Sequence, residues 1–222
     1  MSNDKDHMYT GNEKLILNSK ELPYSMLNFW QTNLSVILLN MTRGSFAEFL
    51  VNCALDAGGF RTMDRTKTGI EPYDIEGPTI PSLGRPCRIE VKSAASVQYA
   101  TKDEDEPICL PSGRLQFSIR RTIDWTNEAA GAQHNNDLYV FCHYTATRKS
   151  DNMLDMRYWD FYVYPTFMID NNLSLSKQKT ISLRRLQLLN VRKQSFDTLY
   201  AEIMRTISQI SDQYADANAH PG

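Results

Sequence analysis

The amino-acid sequence predicts a single α/β domain. Apolar residues recur at helical spacing in segments 43–57 and 195–210, whereas short runs of β-branched and aromatic residues, such as 88–92 and 138–144, indicate strands. With 222 residues, of which 41% are hydrophobic, the chain is long enough to bury a sizeable core. No internal repeat or interdomain linker divides it. We therefore expect one domain over residues 21–211.

The elements follow one another in an α/β order. The polar and charged residues 1–20 predict a disordered N-terminal tail, and residues 212–222 predict a flexible C-terminal tail. Ser195 is a predicted N-cap for the last helix. Helices are predicted at residues 24–41, 43–57 and 195–210. Strands are predicted at residues 59–63, 73–76, 88–92, 115–119, 138–144, 159–164 and 180–183.

A hairpin is predicted around an aspartate and an acid-x-lysine triplet. In segment 87–92, apolar residues alternate with Glu90 and Lys92, so a strand directs these two side chains to the same face. Asp74 lies in a short strand upstream, and the turn residues of segment 81–84 return the chain alongside the triplet. We therefore expect Asp74 to lie next to Glu90.

This pair of carboxylates is typical of a divalent-cation site. Two carboxylates at the same end of adjacent strands form a hard oxygen site that suits Mg²⁺ or Mn²⁺. Such an ion polarises a phosphate and lowers the pKa of a bound water toward neutrality. The ammonium of Lys92 suits the remaining role, which is to orient the attacking water and stabilise the charge that develops on the phosphate oxygens. The residue types therefore indicate metal-dependent phosphodiester hydrolysis.

An alternative for the triplet is a charge pair on the solvated face of a sheet edge. In a chain of this length, an acid-x-lysine triplet is expected about once or twice by chance. Here Lys92 is the only lysine with an acid two positions before it, and the triplet lies in the best strand candidate of the middle region.

An upstream glutamate adds to the pattern. Segment 42–55 has apolar residues at helical spacing, and Glu48 lies among Ala47, Phe49 and Leu50. Because a carboxylate is costly to bury alone, we expect Glu48 to turn toward a metal or a basic partner. The alternative is a glutamate on the exposed surface of the helix.

The order of elements is a helix with Glu48, a strand with Asp74, and a strand with Glu90, Val91 and Lys92. In this order the chain resembles the PD-(D/E)XK nuclease superfamily, also called restriction endonuclease-like. The resemblance implies a mixed central sheet flanked by helices, and DNA cleavage with Mg²⁺. It also implies that Asp74 and Glu90 are metal ligands together with the Val91 carbonyl. Lys92 would then be the catalytic lysine and Glu48 the helix acid near the site.

The resemblance covers about residues 24–205. Within this range the chain is similar in detail to a set of uncharacterised bacterial members of the superfamily. One departure is that Pro72 stands two positions before Asp74, where the family often has a proline directly before the aspartate. Members of the superfamily sometimes use a glutamine after the lysine to support it, and Gln98 is the candidate here. A position on a local helix surface explains Gln98 equally well.

The charge distribution bears on the ligand. A net charge of −2 argues against a protein that coats nucleic acid indiscriminately, although it does not exclude a nuclease. Candidate phosphate contacts are Arg114, Arg120 and Arg121, with solvated surface arginines as the alternative. The loop at 97–113 contains an acidic run, which indicates a solvated surface loop or, alternatively, a mobile flap over the site.

Other classes of site and location are disfavoured. The cysteines have no CxxC spacing and are expected to be buried thiols, and His143 is expected to be a structural strand residue. No nucleophile elbow, phosphate-binding loop or zinc-protease motif occurs. Without an apolar run of about 18 residues or a signal-peptide pattern, a membrane span is not expected and the cytoplasm is the expected location.

Together these patterns predict a Mg²⁺-dependent DNA endonuclease of restriction or defence type, with no organic cofactor. A homodimer is an expectation from a reaction that cuts both strands of DNA. Two alternatives stay open, a non-catalytic DNA-binding or assembly subunit with the same fold and a metal-dependent hydrolase of RNA or nucleotides. Metal binding that depends on Asp74 and Glu90 would distinguish the nuclease from the non-catalytic subunit. A panel of substrates would distinguish it from the hydrolase of RNA or nucleotides.

Overall fold

Helices lie mainly near the two ends of the chain, and most strands lie between them. The structure, a computed structural model, describes residues 9–61, 71–97 and 110–219. The helices are α1 (Met26–Leu34), α2 (Asn40–Ala57), α3 (Thr166–Asp170), α4 (Leu183–Leu188) and α5 (Phe196–Ala219). The strands are β1 (Lys14–Leu17), β2 (Lys20–Ser25), β3 (Ile75–Ile80), β4 (Arg85–Ala95), β5 (Gln116–Ser118), β6 (Thr122–Ile123), β7 (Ala132–Gln133), β8 (Leu138–Tyr144), β9 (Trp159–Pro165), β10 (Thr180–Ser182) and β11 (Lys193–Gln194).

Five strands form a central mixed sheet in the order β11-β9-β8-β4-β3. β4 and β8 are parallel, with Ile89 opposite Leu138 and Ala95 opposite Tyr144. The other neighbouring pairs are antiparallel. Helices pack against this sheet within one domain, so the predicted α/β class with a mixed central sheet is confirmed.

Both faces of the central sheet are covered. On one face, Cys87, Ile89 and Val91 of β4 belong to a buried cluster with residues of α2 and α5. On the other face, Tyr139 and Phe141 of β8 pack with residues of β5, β10 and α4. Because β8 is covered on both sides, every residue in it is buried, which explains why its sequence is apolar or aromatic at nearly every position.

A hairpin joins β3 to β4. The 3₁₀ turn Pro81–Leu83 is followed by Gly84, whose φ of 60° lies in the left-handed region that favours glycine. Within β3, a Cβ at Gly77 would lie 2.7 Å from Cδ1 of Ile89, so the two strands require a glycine at this close approach. Pro78 stands where the β3–β4 register shifts, a position that tolerates a residue without a backbone N–H.

The two termini hold more secondary structure than the sequence predicts. β1 lies inside segment 1–20, the predicted disordered tail, and pairs with β2 as a hairpin. The turn residues Asn18 and Ser19 both have positive φ, 50° and 64°, as a type I′ turn requires. Asn-Ser is a weaker turn signal than Asn-Gly, which is why the sequence does not predict this hairpin. At the other end, α5 continues to Ala219, through most of the predicted tail at 212–222.

The predicted helix at residues 24–41 is divided in the structure. α1 ends at Leu34 and α2 begins at Asn40, with Leu39 in an extended conformation before it. The β-branched Val36 and Ile37 in the intervening segment lower its helix propensity. The predicted helices at 43–57 and 195–210 are confirmed as α2 and α5.

Six of the seven predicted strands correspond to β3, β4, β5, β8, β9 and β10, with bounds that differ by a few residues. The seventh, at residues 59–63, is not a strand in its described part, because Gly58 and Gly59 form a turn after α2 and residues 60–61 are irregular. Residues 62–63 lie outside the described part of the chain.

Candidate functional site

The candidate site is built on the β3–β4 hairpin. Asp74 lies one residue before β3, and its backbone N–H donates to the Ile89 carbonyl at 3.0 Å. Its side chain then replaces a strand partner, because Asp74 Oδ2 accepts a hydrogen bond of 2.8 Å from the Val91 N–H. Among the described residues, β4 pairs with no strand on this side beyond Ile89. The Asp74 carboxylate is therefore held at the open edge of β4, which we define as residues 91–95.

Glu90 and Lys92 lie on one face of β4. Their strand partners in β8 are Tyr139 and Phe141, two buried residues whose rings stack with 5.3 Å between centroids. The Lys92 ammonium donates a hydrogen bond to Glu90 Oε1 and lies 3.8 Å from Asp74 Oδ2. The structure thus brings Asp74, Glu90 and Lys92 together, with the lysine in reach of both carboxylates.

Burial and charge shape the acidity of this group. The side chains of Asp74, Glu90 and Lys92 are 22%, 18% and 29% exposed. Burial raises the pKa of Glu90, the charge of Asp74 raises it further, and Lys92 acts in the opposite direction. Burial by itself lowers the pKa of Lys92, but Glu90 and Asp74 more than offset it, so that this pKa is raised. The site therefore holds two carboxylates in mutual repulsion and a lysine that stays protonated at neutral pH.

Glu48 approaches the same group from α2. Its side chain is half-buried, and α2 packs against the face of β4 that carries Ile89 and Val91. After burial and Asp74, the charge of Glu48 contributes to the raised pKa of Glu90. The helix acid therefore lies within electrostatic reach of the hairpin carboxylates.

The oxygen atoms at the open edge of β4 suit a hard divalent cation. In the described part of the chain, no three or more His, Cys, Asp and Glu side chains form a group able to hold a metal ion. Mg²⁺ does not require one, since it keeps several waters and binds through one or two carboxylates plus substrate phosphates.

The backbone adds a third oxygen to this edge. In an extended strand the N–H and C=O groups of one residue point to the same side, so the Val91 carbonyl faces the edge at which its N–H meets Asp74. A cation between Asp74 and Glu90 would also relieve the repulsion that helps to raise the Glu90 pKa. The donor set of Asp74, Glu90 and the Val91 carbonyl thus fits Mg²⁺ or Mn²⁺.

The remaining predicted site residues are dispersed. Gln98 lies outside the described residues, as does most of the acidic loop. Arg120 is exposed, and Arg121 forms an ion pair of 3.0 Å with Asp170. Arg114 is exposed and lines a cavity next to the open edge of β4.

Asp137, which the sequence patterns do not single out, joins the start of β8 to β4. Its carboxylate accepts hydrogen bonds of 2.7 and 2.8 Å from the Arg85 guanidinium and one of 2.8 Å from the Arg88 N–H. Because the Asp137 side chain is only 7% exposed, this bidentate pair fixes the parallel register of β4 and β8. Its only sequence signal is an acid directly before a strand.

A buried polar pair lies near the end of β8. His143 Nε2 is 2.9 Å from Ser96 Oγ, whereas His143 Nδ1 has no hydrogen-bond partner. Burial lowers the pKa of His143 to about 4, with a smaller contribution from Lys193, so the ring is neutral at pH 7. His143 is thus a buried strand residue, as expected, although only one of its ring nitrogens is satisfied.

The described cysteines are free thiols. Cys87 and Cys142 are buried, as predicted, and Cys53 is half-buried. Burial raises the pKa of all three thiols, which makes them poor nucleophiles at neutral pH. Cys109 lies outside the described residues.

No helix in the described part of the chain has the length and apolar character needed to cross a membrane. No protein-family model, no curated protein and no solved structure is significantly similar to this chain.

Proposed function

We propose that this chain is a restriction endonuclease-like protein of the PD-(D/E)XK superfamily that hydrolyses phosphodiester bonds in DNA with Mg²⁺ or Mn²⁺. The observation that carries the proposal is the arrangement of Asp74 and Glu90 on one hairpin with Lys92 in reach of both carboxylates. The position of Glu48 on a helix beside the same strand, and the mixed sheet itself, support the assignment of the fold.

Each residue has a defined task in this reaction. Asp74 and Glu90 would hold the divalent cation, which supplies a Lewis acid that polarises the phosphate and lowers the pKa of water. The raised pKa of Lys92 keeps its ammonium charged, so that it stabilises the negative charge that develops on the phosphate oxygens. The hydrogen bond from the Val91 N–H fixes the orientation of the Asp74 carboxylate. Tyr139, buried beside Glu90, keeps bulk water from that side of the site and so strengthens these interactions.

Cleavage assays test the proposal directly. Wild type, Asp74→Asn and Lys92→Met are incubated with plasmid and single-stranded DNA in Mg²⁺, Mn²⁺ or EDTA. We expect metal-dependent cleavage by the wild type and a loss of roughly 100-fold or more in each variant. Asp160→Asn is the matched control, since Asp160 is a half-buried strand carboxylate on the same face of the sheet that pairs with Lys193 instead.

Binding measurements separate the alternatives. Calorimetric titration with Mn²⁺ should show binding to the wild type that Asp74→Asn abolishes. Absence of cleavage together with absence of Asp74-dependent metal binding would favour a non-catalytic DNA-binding or assembly subunit. Cleavage of RNA but not DNA in a parallel substrate panel would favour the RNA hydrolase.

A further inference from the structure

Arg43 is a buried arginine that has no carboxylate partner in the described part of the chain. It is 5% exposed, and its guanidinium donates to the Leu38 carbonyl at 3.2 Å and to Asn40 Oδ1 at 2.9 Å. Its Nε atom is buried without a hydrogen-bond partner. A guanidinium carries five N–H donors, so several remain unused. A buried charge is costly unless it is paired, and the residues that the structure describes around Arg43 give its guanidinium no counter-charge.

The position of Arg43 in α2 adds to this imbalance. A helix N-terminus carries roughly half a positive charge and several backbone N–H groups without partners in the helix. The first turn of α2 contains no acidic residue, and Leu39 at the N-cap provides no side-chain hydrogen bond. Arg43 therefore places a positive charge beside the positive end of a helix, an arrangement that an anion would stabilise.

A cavity of about 430 Å³ opens at this end of α2. We name it the Arg43 cavity; its polar lining consists of Asn40, Arg43, Ser93, Arg114 and Gln116, and no acidic residue of the described ranges lines it. The buried guanidinium is thus joined by a second arginine, from a different part of the chain, around one space. Both charges and the helix end favour an oxyanion in that space.

The Arg43 cavity adjoins the candidate active site. Ser93, which lines it, follows Lys92 in β4 and belongs to the open edge of that strand. Asp74 is held at the start of the same edge by its hydrogen bond from Val91. One extended ligand along this edge can therefore reach both the carboxylate pair and the cavity.

We propose that the Arg43 cavity binds a phosphate group of the same nucleic-acid strand that is cleaved at the site formed by Asp74, Glu90 and Lys92. Arg43 and Arg114 donate charge-assisted hydrogen bonds to the phosphate oxygens, and the free N–H groups at the start of α2 favour the same anion. The phosphate supplies the counter-charge that the described residues do not give the buried guanidinium. That the phosphate belongs to a nucleic acid rests on the proposed function, whereas the binding of a phosphate oxyanion does not.

The first experiment uses inorganic phosphate as the probe, in EDTA, so that no metal or cleavage is involved. The unfolding temperature of the full chain is measured with increasing phosphate, against sodium chloride at the same ionic strength. We expect phosphate to stabilise the wild type and Arg148→Met, which replaces an exposed arginine in the loop between β8 and β9. We expect Arg43→Met and Arg114→Met to bind phosphate roughly tenfold or more weakly.

An equal response to phosphate in all four proteins would overturn the proposal. Arg43→Met keeps the apolar contacts of the side chain while it removes an unpaired buried charge, so we expect it to fold. If it does not fold, the exposed Arg114 decides the result, because its replacement leaves the core unchanged.

The second experiment identifies the source of the phosphate. Labelled single-stranded oligonucleotides with and without a 5′-phosphate are titrated in EDTA against the wild type and Arg114→Met. If the wild type prefers the oligonucleotide with a 5′-phosphate and Arg114→Met removes this preference, the cavity binds a terminal phosphate. If Arg114→Met weakens the binding of both oligonucleotides equally, the cavity binds an internal phosphodiester.

If Arg114→Met binds both oligonucleotides as tightly as the wild type does, the assignment to nucleic acid is overturned. The cavity would then bind a free phosphate compound. If the proposed nuclease function fails while the site is real, phosphate binding persists without any DNA cleavage. The two failures are therefore distinguishable.

Discussion

Replacement of Lys92 by methionine tests whether this lysine is the counter-charge of the hairpin carboxylates. The Lys92 ammonium lies 3.8 Å from Asp74 Oδ2, and two unit charges at about 4 Å attract each other by about 4 kcal/mol at an effective dielectric constant near 20. Breaking a fully buried pair costs about 3–5 kcal/mol. Since Lys92 is 29% exposed and solvent screens part of the interaction, we expect a decrease of about 1–3 kcal/mol in the free energy of unfolding at pH 7.

The loss should become smaller at low pH. The pKa of Glu90 is already raised by burial and by Asp74, and it rises further when the ammonium of Lys92 is removed. A carboxyl whose pKa is higher in the folded than in the unfolded state stabilises the fold as it takes up its proton. The difference in the free energy of unfolding between Lys92→Met and the wild type therefore becomes smaller as the pH falls toward the titration range of carboxylates.

Urea denaturation followed by tryptophan fluorescence at several pH values measures both effects. Lys177→Met, at an exposed lysine, is the control and should change stability by less than about 0.5 kcal/mol. Glu90→Gln removes the repulsion but keeps Lys92 beside Asp74, so its stability should equal or exceed that of the wild type. Equal stability of Lys92→Met and Lys177→Met at pH 7 would refute the reasoning.

Two further predictions concern the core. Gly58→Ala should lower the free energy of unfolding by about 1–3 kcal/mol in urea denaturation, because a Cβ there would lie 2.2 Å from Cγ of Tyr200. A Tyr200→Ala background should remove most of this loss. His143, with Asp160 opposite and Lys193 nearby, has a pKa lowered to about 4 by burial, against about 6.5 when unfolded. Titration of His143 therefore leaves the free energy of unfolding unchanged above about pH 6.5. As the pH falls toward 4, the unfolded state binds a proton that the folded state does not, and this lowers the free energy of unfolding by on the order of 3 kcal/mol. His143→Gln should lack this loss over the same pH series, and identical profiles would contradict the prediction.

The hairpin could be predicted from the sequence because its signals are local. Alternation of apolar and charged residues fixes the face of Glu90 and Lys92, and turn residues between the two strands bring Asp74 beside them. The structure moves Asp74 just outside the strand, where its side chain, rather than its backbone, bonds to Val91. No pattern in the sequence encodes that exchange.

Other features depend on tertiary packing and could not be predicted in the same way. Arg43 has the sequence signature of an ordinary surface residue at a helix start, and its burial follows only from how α2 packs against the sheet. The break between α1 and α2 falls in an apolar run in which Leu38 is buried whereas Val36 and Leu39 are exposed. The helical pattern does not distinguish these outcomes.

Asp74, Glu90 and Lys92 come from one continuous segment, and this has a consequence for the order of folding. A hairpin closes within about 1–10 μs, whereas the parallel pairing of Ile89 with Leu138 joins distant parts of the chain and is slow. The carboxylates should therefore meet before the central sheet is complete. In pulse-labelled hydrogen exchange, the Val91 amide, which is bonded to Asp74, should become protected earlier than the amides of β8.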